Sequence, residues 1–127
     1  MKEYIVKFLI SLLCVVSPIQ EAIFSIGFLI IADLVMGLLA SKKNKVKFTS
    51  TRLKNTAVKL LVYNILLISS FICQTYLVDW IPFTKICLSF LAIIELTSIG
   101  ENFNSITGIS FIKYVKQYIN NHLTKGK

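Results

Sequence analysis

Apolar and polar positions fall into long blocks along this chain. Four apolar blocks, at 4–17, 22–40, 57–78 and 83–99, are separated by short polar stretches. An α-helix needs about 20 apolar residues to cross the ~30 Å hydrocarbon core of a bilayer. The blocks AIFSIGFLIIADLVMGLLA and AVKLLVYNILLISSFICQTYLV have that length. So, nearly, does 83–99, with Lys85 near its start and Glu95 inside. The block 4–17, broken by Lys7 and Ser11, reaches only about 21 Å as a helix. It predicts either a short span, with Lys7 snorkelling to the surface, or a helix lying in the interface. Pro18 predicts the end of that helix and a tight break over 18–21.

The stretch 41–56 is a basic loop carrying Lys42, Lys43, Lys45, Lys47, Arg52 and Lys54. Thr49 and Ser50 are candidates to cap the helix that follows. Asp79, Trp80 and Pro82 mark a turn, and Tyr76 and Trp80 suit the aromatic belt at a membrane surface. After the polar connection 100–108, Ser110 opens a last helix. Phe111, Val115, Tyr118 and Ile119 share one side of it, and Lys113, Gln117, Asn120 and Thr124 the other. That pattern suits an interfacial helix with a basic face. The expected fold is all-α: an integral membrane helical hairpin bundle of three to four transmembrane helices, with an amphipathic tail at 110–123. A single membrane domain spans 1–127.

Composition strengthens this reading. Of 127 residues, 55% are hydrophobic and the mean hydropathy is +0.72, above the ordinary soluble range. The net charge of +8 would suggest nucleic acid in a soluble protein. Here the positives have another use. They set topology and touch anionic lipid headgroups at the basic loop, with no nucleic-acid partner. The loop and the C-terminal tail are expected on the cytoplasmic side, whereas Glu21 and Asp79 lie at the opposite turns. The N-terminus is cytoplasmic with four spans and outside with three. Residues 1–16 loosely resemble a signal peptide. Glu3 and Lys7 interrupt it and no small-x-small site precedes a polar region, so the segment is expected to be retained. Cys14, Cys73 and Cys87 sit far apart in apolar runs and read as buried reduced thiols. Neither a metal centre nor a cofactor is implied, and no nucleophile–base set or nucleotide loop points to an enzyme.

Polar residues inside spans are costly and are the natural candidates for function. Asp33 and Glu95 lie at similar depths from the loop side, and Lys59 enters from that side. They fit either a proton or cation site or an ion-paired clasp between helices. The nearby lysine favours the clasp. Asn64, Ser69, Ser70 and Gln74 fit hydrogen bonding between helices or to their own backbone better than a water path. Gly37 offers a small surface for close packing.

Three stretches together resemble a known family. Ala32-Asp33-Leu34-Val35-Met36-Gly37 closes one span. Thr49-Ser50-Thr51-Arg52-Leu53 leads to Val58-Lys59-Leu60-Leu61-Val62-Tyr63. Glu95-Leu96-Thr97-Ser98-Ile99-Gly100-Glu101-Asn102 runs on to Ser105-Ile106-Thr107-Gly108. Their order and spacing over about 19–119 resemble phage lysis holins of the toxin-secretion/phage-lysis type. Members often carry a proline after the final glycine, where this chain has Ile109-Ser110-Phe111. The resemblance implies a multi-pass protein of the host bacterial cytoplasmic membrane. It implies a homo-oligomer that forms holes, releasing an endolysin for host-cell lysis, with an antiholin as a further candidate partner. It marks Asp33, Gly37, Lys59, Glu95, Glu101 and Asn102 as the intramembrane polar and packing residues of interest. Two other roles suit the same pattern: a small four-span ion channel or transporter, and a membrane anchor for a cytoplasmic partner.

Overall fold

The structure, a computed structural model, describes residues 1–126 and is all-α. Its helices are α1 (Lys2–Val16), α2 (Gln20–Lys43), α3 (Ser50–Ile72), α4 (Phe83–Thr107) and α5 (Phe111–Thr124). A π-helical turn, Cys73–Leu77, extends α3. Three helices are long and apolar enough to cross a membrane. They are Lys2–Lys43, which joins α1 to α2, then Ser50–Leu77 and Phe83–Thr107.

Contacts at the loop end fix the directions. Residues 37 and 41 of α2 meet Arg52 of α3, and Asp33 meets Lys59, so α2 and α3 run antiparallel. Asp33 also meets Ser98 and Asn102, and Asn44 meets Ser105, so α2 and α4 run parallel. The distal half of the bundle is closed by Ile26, Leu67 and Leu91, with Ile23, Leu29, Cys87, Leu88 and Ala92 against them. Outward faces carry Phe24, Phe28, Ile31, Leu61, Ile65, Phe90 and Ile93, all exposed. A soluble monomer rarely leaves so much contiguous apolar surface in water. Outward hydroxyls are satisfied within their own helices: Ser11, Ser25 and Thr97 donate to the carbonyls of Lys7, Glu21 and Ile93. That is the condition for facing hydrocarbon.

The tight break expected at 18–21 is absent. Ser17–Ile19 forms a 3₁₀ turn, and the backbone stays helical from α1 into α2. Proline lacks only the N–H and has a φ suited to a first helical turn. The short turn absorbs the missing donor, and Ile19 is buried at the junction. At 42 residues the joined helix is about 63 Å long, twice a hydrocarbon core. None of the residues of α1 is buried. Cys14 is therefore exposed rather than buried, while Cys73 and Cys87 are half-buried.

Thr49 and Ser110 hold the N-cap positions of α3 and α5, but neither side chain makes the capping hydrogen bond. Lys45, at φ 55°, closes the C-terminus of α2 in the left-handed conformation. The N–H groups of Lys45 and Val46 return to the carbonyls of Lys42 and Ser41, capping the helix end. Gly108, at φ 73°, does the same for α4. It starts an elbow that sets the Ile112 and Phe111 side chains over Gly100. The other residues of α5 stay exposed.

Candidate functional site

The loop-side half of the bundle has a polar core. On α2, Asp33, Gly37 and Ser41 follow one another at i, i+4, i+8. On α3 the series is Arg52, Thr56, Lys59, Tyr63, and on α4 it is Glu95, Ser98, Asn102. These spacings put each set on one helical face. Each face continues, one or two turns deeper, into the apolar core of Ile26, Leu67 and Leu91.

Lys59 joins the layer. Its Nζ lies 3.3 Å from Asp33 Oδ2 and 3.1 Å from Glu95 Oε1. Glu95 is fully buried and also accepts from Tyr63 Oη at 2.8 Å. Asp33 Oδ1 accepts from Ser98 Oγ at 2.6 Å and from Asn102 Nδ2 at 3.2 Å. Two carboxylates thus share one ammonium, and the surplus negative charge is spread over three neutral donors. A charge is tolerated at this depth only when paired and hydrogen-bonded.

A second cation sits nearer the loop. Arg52 Nη1 donates to the Gly37 carbonyl and to Ser41 Oγ, both at 3.2 Å. A Cβ on residue 37 would come 3.0 Å from that nitrogen, so glycine is what lets the guanidinium rest on α2. Just beyond, Lys43 Nζ donates to the Ile106 carbonyl and Asn44 Nδ2 to Ser105 Oγ. The loop is thereby tied to the end of α4. Between these two tiers lies a cavity of about 350 Å³, lined by Asp33, Gly37, Arg52, Lys59, Glu101 and Asn102 among others.

Of the residues singled out from the sequence, Asp33, Gly37, Lys59, Glu95 and Asn102 meet in this layer. Glu101 lines the cavity but has no hydrogen bond or ion pair with them. Sequence reasoning missed Tyr63, Ser98, Ser41 and the Arg52–Gly37 contact. The helical spacing places Tyr63, Ser98 and Ser41 three or four residues from a residue already chosen, and Arg52 seven from Lys59, but which of them touch is set by the packing of the helices. The polar residues of the outer half behave locally. Ser70 donates to the Leu67 carbonyl and Asn64 to that of Leu60. Gln74 Oε1 instead accepts from the backbone N–H of Thr84, capping the start of α4.

The chain matches the bacteriophage holin family over residues 12–122. No curated protein and no solved structure matches it. The matched region contains all three transmembrane segments' apolar cores, the polar layer and most of α5. The three stretches that resemble phage lysis holins supply the partners of this layer: Asp33 and Gly37, Arg52, Lys59 and Tyr63, then Glu95, Ser98 and Asn102. With membrane-length helices, lipid-compatible outer faces and a match over most of its length, the chain belongs to the bacteriophage holin family, a family of non-enzymatic membrane proteins.

Proposed function

We propose that the chain oligomerises in the host cytoplasmic membrane and opens holes that let an endolysin reach the peptidoglycan. Membership of the holin family carries the reading. The placement of polarity supports it. As a single bundle the chain turns apolar side chains to lipid and clasps Asp33, Lys59 and Glu95 together between its helices, so it can accumulate without leaking. A hole needs a polar wall. Within the spans, the polar layer around Lys59 is the main source of one. Opening therefore requires the clasp of Asp33, Lys59 and Glu95 to exchange partners as helices from several copies repack. Van der Waals contact and interhelical hydrogen bonding drive such repacking in lipid. The basic loop and α5 lie on the cytoplasmic side in this reading, following the positive-inside rule.

Expression of the chain alone in bacteria tests this. After a delay, growth should stop abruptly and a cytoplasmic endolysin supplied with it should lyse the cells. Slow, graded leakage of one ion without passage of protein would instead favour a small channel.

A further inference from the structure

The loop-side cavity contains two charges that the protein leaves open. Arg52 spends Nη1 on Gly37 and Ser41. Its Nη2 and Nε edge makes no hydrogen bond, and no ion pair reaches it, among the described residues. Glu101, on α4, lines the same cavity and likewise has no partner among the described residues. The other charges there are matched: Lys59 is shared by two carboxylates, and both oxygens of Asp33 are engaged. So one anchored guanidinium, with a free fork, and one free carboxylate face a common space without pairing to each other.

A simple anion would satisfy Arg52 and be repelled by Glu101, and a simple cation would do the reverse. A ligand carrying both charges satisfies both. The free edge of a guanidinium matches two phosphate oxygens, and a carboxylate pairs best with a group that has N–H donors. The depth is right for a lipid headgroup. Arg52 and Lys59, at the two ends of the cavity, are seven residues apart, about 10 Å along α3. That length starts at the loop and ends inside the span. The volume of about 350 Å³ is at the low end for ligand sites, enough for a headgroup and not for acyl chains. Leu34 is the one aliphatic side chain larger than glycine in the lining.

We infer that this cavity binds a zwitterionic phosphodiester–primary ammonium headgroup, the chemistry of phosphatidylethanolamine, with the phosphate on Arg52 and the ammonium on Glu101. The site goes beyond the hole-forming role and does not depend on it. It rests only on the membrane embedding of α2 to α4.

The test is native mass spectrometry of the full chain released from membranes holding equal phosphatidylethanolamine, phosphatidylglycerol and phosphatidylcholine. The wild type should retain phosphatidylethanolamine over phosphatidylglycerol by roughly tenfold, the worth of one charge-assisted contact. Phosphatidylcholine, whose quaternary ammonium has no N–H, should be retained no better than phosphatidylglycerol. Glu101→Gln should bring phosphatidylethanolamine down to the level of phosphatidylglycerol. Arg52→Gln should lower retention of both. Should that variant fail to fold, Glu101→Gln, at an exposed position, still decides. Equal retention of the lipids by the wild type, or unchanged selectivity in Glu101→Gln, would overturn the assignment. Equally strong binding of soluble phosphoethanolamine would place the ligand in the aqueous phase and overturn the lipid source. The lytic phenotype is not read in this experiment, so a failed holin reading and a failed lipid site are told apart.

Discussion

Lys59 on α3 and Glu95 on α4 meet with Nζ 3.1 Å from Oε1, and the carboxylate has no exposure at all. The ammonium is the sole cation within reach of this buried acid among the described residues. Among the described residues it is also the sole cation paired with Asp33. Removing it leaves two acids facing each other's helices across a low-dielectric core. Breaking a buried pair from one side costs about 3–5 kcal/mol, more than the intact pair contributes. Lys59→Met should therefore lower the thermal unfolding midpoint of the purified chain in detergent. Adding Glu95→Gln and Asp33→Asn should recover most of the loss. A triple variant no more stable than Lys59→Met would show that the charges are not coupled.

Gly37 gives a graded prediction. In Gly37→Ala the new Cβ meets the far end of the Arg52 side chain at 3.0 Å, which can shift. Relief of glycine's helix penalty, about 1 kcal/mol, offsets that contact. Stability should change by less than about 1 kcal/mol. Gly37→Leu has no such latitude. It should displace the guanidinium from α2 and destabilise the loop end of the bundle. Trypsin cleavage after Arg52 reads this directly: slow in the wild type and Gly37→Ala, fast in Gly37→Leu.

Gly108 sets the elbow before α5. Its φ of 73° costs a side chain about 1–2 kcal/mol. Gly108→Ala should loosen the seat of Ile112 on Gly100 and speed proteolysis at Lys113 and Lys116. The thermal midpoint of the α2–α4 bundle should hardly move. Lys45 is the converse case. It occupies the same left-handed region, and Lys45→Gly should stabilise the end of α2 by a fraction of that amount.

Much of this layer is legible in the sequence. Depth along a span is a count of residues from the loop, so Asp33, Lys59 and Glu95 could be placed at one level by counting. Rotation about the helix axis is not given by counting from one end. That is why Arg52 against Gly37, and Tyr63 on Glu95, emerged only from packing. The junction of α1 and α2 departs from the sequence expectation for another reason. A proline inside an apolar run reads as a terminator, although its geometry suits a 3₁₀ turn that hands one helix to the next. Gln74 fits a hydrogen bond between helices from the sequence, but its role as a cap for α4 depends on how the π-helical turn positions it.

Continuity through Pro18 leads to a topology prediction. Since α1 extends α2 at the end opposite the loop, the N-terminus is expected on the same side of the membrane as Trp80. In a background with Cys14, Cys73 and Cys87 changed to serine, Lys2→Cys and Trp80→Cys should react with an impermeant maleimide from one side of the membrane. Val46→Cys should react from the other. Labelling of Lys2→Cys together with Val46→Cys would mean that α1 folds back across the bilayer.

In the proposed hole-forming role, the bundle stays closed while its polar layer is clasped and opens as a hole when copies repack. The decisive measurement is membrane potential, followed by dye during induced expression of the chain alone, beside Lys59→Met at matched membrane levels. The wild type should show an abrupt collapse after a delay, and the variant an earlier one. Sustained growth with intact potential at high expression of the wild type would rule this role out.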